Sequence, residues 1–151
     1  MNRLEELFQD RPSPVDYTDR YLVYLQELLG RVSREEIAAF IQTLIDARAQ
    51  GKRIYFIGNG GSASIASHIS VDFMKVAKVK SVNFNNANLI TCFANDYGHE
   101  NWMKEAVKAY CSKKDLIILI SSSGNSKNII NAAKFCKHTD IDFITFSGFS
   151  K

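Results

Sequence analysis

His68 and Asp72, in the stretch HISVD, are two side chains that could exchange protons or bind a metal ion. In a helix, residues four apart lie on one face, so both side chains would reach the same point. Such a pair supplies metal ligands, or a proton acceptor beside an imidazole. The same spacing is also typical of a weak ion pair on a solvated helix, and that alternative stays open.

Two loops rich in glycine and serine could bind an anion near this pair. The first follows the apolar run RIYFI and consists of Gly58, Asn59, Gly60, Gly61 and Ser62. The second follows the run DLIILI and consists of Ser121, Ser122, Ser123, Gly124, Asn125 and Ser126. Glycine lets the backbone approach a ligand, and the free N–H groups at a helix start favour an anion. One such loop is typical of a capped turn, but two together indicate a phosphate ester held from two sides.

The two loops do not match the common nucleotide-binding patterns. Neither contains the G-K-[ST] of a Walker loop, and neither has the G-x-G-x-x-G spacing of a dinucleotide site. A third polar cluster, Asn95-Asp96 followed by Gly98, is a turn signal and is typical of a turn that caps the next helix. We therefore expect a small phosphorylated ligand rather than a nucleotide.

The elements that must position these residues alternate between strands and helices. Four apolar segments are predicted to be strands: RIYFIG, KSVNF, DLIILI and IDFITFSG. Helices are expected over 62–78, 100–112 and 126–137, with a short helix within 86–94. Strands that are apolar throughout are typical of a parallel sheet covered on both faces. The sequence therefore predicts an α/β fold.

Two helices are expected before this α/β unit, packed on it or on a partner subunit. The first spans 16–29, and the second follows a capping-box signature at Ser33 and Glu36 and ends before Gly51. The helix over 62–78 should face the sheet with Ile65, Ile69, Phe73 and Val76. Another side of this helix then carries Ser64, His68, Asp72 and Lys75.

Composition narrows the class of protein. The 151 residues fit one domain, 46% are hydrophobic, and the net charge of +3 is spread along the chain. Scattered basic residues argue against nucleic acid as a partner, and no apolar run is long enough to span a membrane. An odd number of cysteines without C-x-x-C fits a reducing compartment, and the N-terminus lacks the pattern of a signal peptide. We therefore expect a cytoplasmic location.

The order of these motifs resembles the sugar isomerase (SIS) domain family. The motifs are, in order, G-N-G-G-S, His68 with an acidic residue four positions later, N-D-Y-G and S-S-S-G-N-S. This order is most similar to that of the phosphoheptose isomerase group. The match covers about residues 22–148. The resemblance implies a flavodoxin-like three-layer αβα sandwich with a parallel sheet, preceded by two N-terminal helices. It also implies a homotetramer with its sites near subunit interfaces.

The resemblance also implies a role for each matching residue. The serine loop would bind the sugar phosphate through Ser121, Ser122, Ser123, Asn125 and Ser126, assisted by Asn59, Gly60, Gly61 and Ser62. Asp96 would contact sugar hydroxyls. His68 would be a ligand of zinc, and Asp72 would stand where the family has a catalytic glutamate that can also be a metal ligand. The reaction would convert sedoheptulose 7-phosphate to a heptose 7-phosphate through an enediol, in heptose synthesis for lipopolysaccharide or capsule.

Two departures from the family pattern leave the function open. Asp72 is one methylene shorter than glutamate, roughly 1.5 Å less in reach, and a misplacement of about 1 Å can cost ~100-fold in rate. The family also continues beyond the position of Lys151 with a further strand and a helix that carries a glutamine and a second histidine. We expect one SIS domain over 1–151, with N-terminal helices to residue 50 and the α/β core from 51, without that strand and helix.

Three functions are compatible with these observations. The first is a phosphoheptose isomerase. The second is a non-catalytic SIS module that binds a phosphosugar, or a tetrameric adaptor for a protein partner. The third is a different sugar-phosphate isomerase whose site is built around an aspartate.

Overall fold

A computed structural model describes residues 3–148 and contains one parallel sheet of four strands. The strand order is β2-β1-β3-β4, with β1 at Arg53–Gly58, β2 at Lys80–Asn83, β3 at Asp115–Ser121 and β4 at Asp142–Ser147. The register pairs Gly58 with Ile120 and Ser121 with Ser147, so that all the strands end at one edge. This confirms the α/β class and the four predicted strands.

Seven helices accompany the sheet within the described range. They are α1 (Arg3–Leu7), α2 (Pro14–Gly30), α3 (Arg34–Ala49), α4 (Gly60–Lys75), α5 (Ala87–Tyr97), α6 (Trp102–Tyr110) and α7 (Lys127–Thr139). The ambiguous segment after Asn86 is helical because the Asn86 side chain accepts hydrogen bonds from the N–H groups of Asn88 and Leu89. This arrangement is that of a helix N-cap.

The direction of the crossovers puts helices on both faces of the sheet. The chain moves from β1 to β2 in one direction and from β3 to β4 in the other. Since crossovers between parallel strands are right-handed, α4 and α7 lie on opposite faces. Helix α6 packs on α7, and α5 packs on α6. The expected three-layer αβα arrangement is confirmed.

The core lies largely between the sheet and the α6–α7 layer. The strands contribute alternate residues to this core, namely Tyr55 and Ile57 of β1 and Ile117 and Leu119 of β3. They contact buried side chains of α6 (Trp102, Met103 and Val107) and of α7 (Ile129 and Cys136). Strands β1 and β3 are buried along almost their whole length. These strands therefore provide a rigid base for the two loops that follow them.

The predicted buried face of α4 is correct only in part, because Phe73 packs on Phe56 of β1 with ring centroids 5.3 Å apart, but two other predicted residues are exposed. Ile65 is 50% exposed and Val76 is 75% exposed, whereas the residues of α4 that are buried are Ala66 and Ser70. Ser70 donates to the carbonyl of Ser67, and its own carbonyl accepts a hydrogen bond from Ser81 of β2. Small residues let α4 approach the sheet closely, so a pattern of large apolar residues does not identify the packed face.

A buried carboxylate joins the starts of β1 and β3. Asp115 accepts hydrogen bonds from Arg53 Nε at 3.0 Å and Arg53 Nη2 at 3.3 Å, and from the N–H and hydroxyl of Ser112. Burial alone would raise the pKa of Asp115, but the hydrogen bonds from Arg53 and Ser112 outweigh that effect and lower it. The ionised carboxylate therefore stabilises the edge of the sheet opposite to the two loops.

The chain forms two compact units with a boundary between Gln42 and Thr43. In the first unit, α2 buries none of its residues and presents exposed apolar side chains, among them Leu22, Val23, Leu25 and Leu29. Helix α3 begins as predicted, because the Ser33 hydroxyl accepts a hydrogen bond from the Glu36 N–H at 3.1 Å. One SIS domain over the whole chain, and packing of these helices on a partner, stay predictions. Among residues 3–148, no helix has both the length and the apolar character needed to cross a membrane.

Candidate active site

The two loops lie side by side at the carboxyl edge of the sheet. Strands β1 and β3 are neighbours, and the chain leaves them toward opposite sides. Open α/β sheets bind ligands in the crevice that forms where the strand order reverses in this way. The glycine loop (residues 58–62) and the serine loop (residues 121–126) therefore flank the position where a ligand is expected.

The glycine loop turns too tightly for a side chain at its first residue. A Cβ on Gly58 would lie 2.6 Å from the backbone carbon of Ser62, closer than real contacts allow. Gly60 has a φ of +50°, in the left-handed region that favours glycine. Helix α4 begins at Gly60, so the N–H groups of its first turn lie at the carboxyl edge. This geometry suits an anion bound close to the backbone.

The serine loop makes internal hydrogen bonds in which its hydroxyl oxygens are acceptors. Ser121 is buried, and its hydroxyl accepts a hydrogen bond from the N–H of Gly124 at 3.2 Å. The Ser123 hydroxyl accepts one from the N–H of Asn125 at 3.2 Å. Ser126 is the N-cap of α7, but its side chain makes no capping hydrogen bond. Because accepting a hydrogen bond leaves a hydroxyl proton free, these serines can still donate to phosphate oxygens.

Strand β4 supports the serine loop from its other side. The Gly148 N–H donates to the carbonyl of Ser122 at 2.9 Å. Gly124 has a φ of +63°, and a Cβ there would lie 3.4 Å from the Cβ of Ser147. Ser122 and Asn125 are exposed. The loop is therefore held against β4 at Ser122 and Gly124, while two of its side chains are exposed.

Reciprocal hydrogen bonds join the two loops through side-chain amides. Asn59 Nδ2 donates to Asn128 Oδ1 at 2.9 Å, and Asn128 Nδ2 donates to Asn59 Oδ1 at 2.9 Å. Asn128 is 3% exposed and lies in the first turn of α7. The start of α4 and the start of α7 are thus tied directly to each other.

His68 and Asp72 form the predicted pair on α4. The distance between His68 Nε2 and Asp72 Oδ2 is 3.2 Å, and the two side chains are 81% and 54% exposed. His68 lies eight residues beyond Gly60, about 12 Å along the helix axis. Within residues 3–148 of one chain, the pair therefore lies on an exposed face of α4 and is not close to the two loops.

The described residues of one chain do not complete a zinc site. Zinc in proteins takes four ligands in structural sites, and three protein ligands with one open position in catalytic sites. Within residues 3–148, no group of three or more His, Cys, Asp or Glu side chains is arranged to hold a metal ion. His68 and Asp72 provide two ligands of the right chemistry, and further ligands would have to come from elsewhere.

Asp96, which the family resemblance predicts to contact sugar hydroxyls, lies near the C-terminus of α5. Its carboxylate accepts hydrogen bonds from Asn95 Nδ2 at 2.9 Å and from Cys92 Sγ at 3.8 Å. Within residues 3–148, both of these partners belong to α5, and neither belongs to the two loops. Gly98 ends the helix with a φ of +81°, which confirms the predicted turn.

Several polar residues at the same edge were missed by the sequence analysis. Asn83 at the end of β2 donates to Ser70 Oγ at 2.9 Å, and Asn85 Nδ2 donates to Ser67 Oγ at 3.0 Å. The repeated asparagines in the stretch NFNNAN were the available signal for this cluster. Asn128 gave no such signal, because one asparagine near a helix start is ordinary capping chemistry.

Trp102 is a second residue without a signal in the sequence. Its side chain is 3% exposed, and Nε1 has no hydrogen-bond partner among residues 3–148. The indole lines a small cavity under the glycine loop together with Gly58, Ala63 and Asn85. A buried donor without a partner is uncommon in folded proteins.

Larger cavities lie away from the two loops. One of about 600 Å³ lies beside β2 and α5 and is lined by Phe84, Phe93 and Tyr110, among others. Another of about 400 Å³ lies at the amino ends of β3 and β4, beside Lys52 and Asp142. The crevice between the loops is therefore distinct from both of these cavities.

The family is identified by a match over most of the chain. A model of the SIS domain family matches residues 17–148, which include both loops, the His68–Asp72 pair and Asp96. The chain belongs to the SIS domain family. The resemblance in the motifs is thereby confirmed.

Curated relatives within this family are phosphoheptose isomerases. The chain is 38% identical over 115 residues to phosphoheptose isomerase 2 of Campylobacter jejuni, covering 71% of this chain and 56% of the relative. It is 35% identical over 130 residues to a phosphoheptose isomerase of Helicobacter pylori, covering 82% of this chain and 64% of the relative. The matched region thus spans less than two thirds of the length of these relatives.

Solved structures support the same fold. A phosphoheptose isomerase of Neisseria gonorrhoeae superposes with a TM-score of 0.57 at 26% identity, over 76% of this chain and 74% of that chain. One from Francisella tularensis gives a TM-score of 0.80 at 20% identity, over 92% of this chain and 78% of that chain. The second likeness concerns the fold alone.

Proposed function

We propose that this SIS domain binds a phosphorylated sugar and belongs to an isomerase of the phosphoheptose type. The substrate would be sedoheptulose 7-phosphate and the product a heptose 7-phosphate, used in heptose synthesis for lipopolysaccharide or capsule. The observation that carries the proposal is the pair of loops at the switch point between β1 and β3, tied by Asn59 and Asn128. The named relatives, which are phosphoheptose isomerases, support the choice of reaction.

The serine loop is the proposed phosphate site. Hydroxyls of Ser121, Ser123 and Ser126 donate to phosphate oxygens, and the N–H groups at the starts of α4 and α7 contribute the positive ends of two helix dipoles. Neutral donors of this kind bind the dianion without the desolvation cost of a buried cation. The remaining proposed contacts, at the rim of the phosphate site, come from Ser122, Asn125, Gly60, Gly61 and Ser62.

Asp72 is the proposed base of the reaction. An aldose–ketose isomerisation removes a proton from the carbon next to the carbonyl and returns it to the neighbouring carbon through an enediol. Asp72 would accept that proton, and His68 at 3.2 Å would orient the carboxylate. Asp96 would bind sugar hydroxyls. The phosphate site would fix the other end of the substrate, which reduces the entropy cost of reaching the base.

A non-catalytic phosphosugar-binding module, or a tetrameric adaptor, is the second candidate function. It is favoured by the exposure of His68 and Asp72, which have no third acidic, histidine or cysteine ligand beside them in residues 3–148. The shorter aspartate favours it as well. The binding module shares the phosphate site with the isomerase and differs from it in that bound sugar is not converted.

Assembly and zinc form a further part of the proposal. Exposed apolar side chains of α2 and α3, among them Leu25, Leu29, Ile37 and Ile41, provide surface for a homotetramer. In such an assembly, a second copy would bring additional ligands to His68 and Asp72 and complete a zinc site. Light scattering would give the oligomeric state. Metal analysis of the wild type and His68→Ala would give the zinc content, which should fall in the variant.

Calorimetric titration tests the phosphate site. Wild-type protein should bind sedoheptulose 7-phosphate saturably, and Ser123→Ala and Ser126→Ala should each weaken the binding about tenfold, because each removes a hydrogen bond to a charged group. Thr139→Ser, which retains the hydroxyl at the far end of α7, is the control. Binding that is unchanged in both loop variants would contradict the proposed phosphate site.

A further inference from the structure

We propose that Asn128 is a positioning residue that holds the glycine loop and the serine loop at a fixed separation, and that Asn59 is its partner rather than a phosphate ligand. This inference rests on the proposed function, because it concerns the same phosphate site. It also revises the role that the family resemblance suggests for Asn59.

Two hydrogen bonds join the side chain of Asn59 to Asn128. A side-chain amide has one oxygen acceptor and two N–H donors, and the pair uses the oxygen and one N–H of each residue. Asn59 is the N-cap of α4, a position where an asparagine oxygen usually accepts a hydrogen bond from the helix. Here it makes no capping bond. The oxygen of Asn59 thus serves the link between the loops instead of its own helix.

The partner side of the link is rigid. Asn128 is 3% exposed, and its Oδ1 accepts a second hydrogen bond, from the N–H of Ile129 at 3.0 Å. Its neighbour Ile129 is buried in the core against the sheet. A buried amide with all of these bonds has one favourable orientation, since leaving any of its groups unpaired is costly. Asn128 therefore presents a fixed acceptor and donor to Asn59.

The link begins where the sheet ends. The register between β1 and β3 runs as far as Gly58 and Ile120, after which the two chains diverge into their loops and helices. Beyond that point the Asn59–Asn128 pair joins the two segments. A phosphate site built from both loops needs its donors within about 0.5 Å of their productive positions. The amide pair fixes the distance that this requires.

Hydrogen exchange tests the link without any ligand. In full-length protein, the side-chain amide protons of Asn59 should exchange slowly. In Asn128→Ala they should exchange at least about tenfold faster, together with the backbone amides of Ser62 and Ala63. Asn131→Ala is the matched control, because Asn131 lies one turn further along α7 and bonds the carbonyl of Glu100. Unchanged exchange in the glycine loop of Asn128→Ala would overturn the proposal.

A double-mutant cycle separates positioning from direct contact. Asn59→Ala and Asn128→Ala should each weaken binding of sedoheptulose 7-phosphate about tenfold, and the double variant should bind within about twofold of Asn128→Ala. A further tenfold loss in the double variant would mean that Asn59 contacts the phosphate itself, and would overturn the proposal. If Asn128→Ala does not fold, Asn59→Ala breaks the same pair and should accelerate exchange in the serine loop.

The two readouts distinguish failure of this inference from failure of the proposed function. A wild type that binds neither sedoheptulose 7-phosphate nor inorganic phosphate would refute the proposed function, while the exchange experiment still decides whether Asn128 holds the loops. Conversely, tight binding with unchanged exchange in Asn128→Ala would refute the positioning role alone.

Discussion

His68 Nε2 and Asp72 Oδ2 lie 3.2 Å apart on the exposed face of α4, one helical turn from each other. This contact orients the carboxylate along the helix surface, on a helix whose first turn forms part of the glycine loop. Because both side chains are exposed, substitutions of His68 or Asp72 should alter proton transfer with little effect on folding. The pair is therefore the best place to separate catalysis from stability.

Replacement of Asp72 should separate the isomerase from the binding module. Asp72→Asn removes the proton acceptor and should lower kcat by at least about 100-fold, with thermal stability unchanged. Asp72→Glu restores the reach of the family glutamate and should raise kcat, by up to about 100-fold. Lys75→Ala, on the same exposed face, is the control. Wild-type kcat in Asp72→Asn would mean that another group is the base.

Alanine at Gly58 and alanine at Gly61 should behave differently although they lie in one loop. A Cβ at Gly58 meets the backbone of Ser62 at 2.6 Å, whereas a Cβ at Gly61 meets nothing within 4 Å. We expect Gly58→Ala to lower the free energy of unfolding by about 1–3 kcal/mol and Gly61→Ala to leave it within about 0.5 kcal/mol. Urea unfolding measures both. Equal stabilities would show that the loop does not fold back as described.

Asp115 should make stability depend on pH in the acid range. Although burial alone would raise the pKa of Asp115, hydrogen bonds from Arg53 and Ser112 lower it in the folded state. A carboxyl group with a lowered pKa contributes its full stability above its unfolded pKa of about 3.9, and loses that contribution as pH falls through the folded pKa. The free energy of unfolding should therefore fall below about pH 4.

Asp115→Asn should flatten that dependence and lower stability at pH 7 by about 1–3 kcal/mol, since a charged acceptor in a buried position is lost. Asp140→Asn is the matched control. Its carboxylate is 80% exposed in a pair with Lys113, and asparagine tolerates its left-handed backbone. Urea titrations across pH for the three proteins measure the effect, and an Asp115→Asn curve as steep as the wild type would contradict it.

The three cysteines should differ in reactivity. Burial raises the pKa of Cys111 to about 12 and that of Cys136 to about 11, whereas Cys92 is exposed. Since the thiolate is the nucleophile, iodoacetamide at pH 8 should modify Cys92 in the native protein and the other two only after unfolding. Peptide mass spectrometry reports each site. Rapid native labelling of Cys136 would contradict the packing of α7 on the sheet.

The sequence predicted the strands, their direction and both loops, because these depend on local patterns: apolar runs, glycine at tight turns and serine at helix starts. It predicted Phe73 of α4 on the sheet but missed Ala66 and Ser70, since these small residues are selected by the close approach of the helix to β2. Asn128 was also missed. Its role depends on a partner 69 residues away, which only the folded sheet brings within 2.9 Å.

Incubation of full-length protein with sedoheptulose 7-phosphate and zinc, followed by NMR, tests the central claim most directly. The account predicts conversion to a heptose 7-phosphate, with solvent deuterium entering at the carbon next to the carbonyl through the enediol. Saturable binding that Ser123→Ala weakens about tenfold, without any conversion, would contradict the isomerase and support the non-catalytic module.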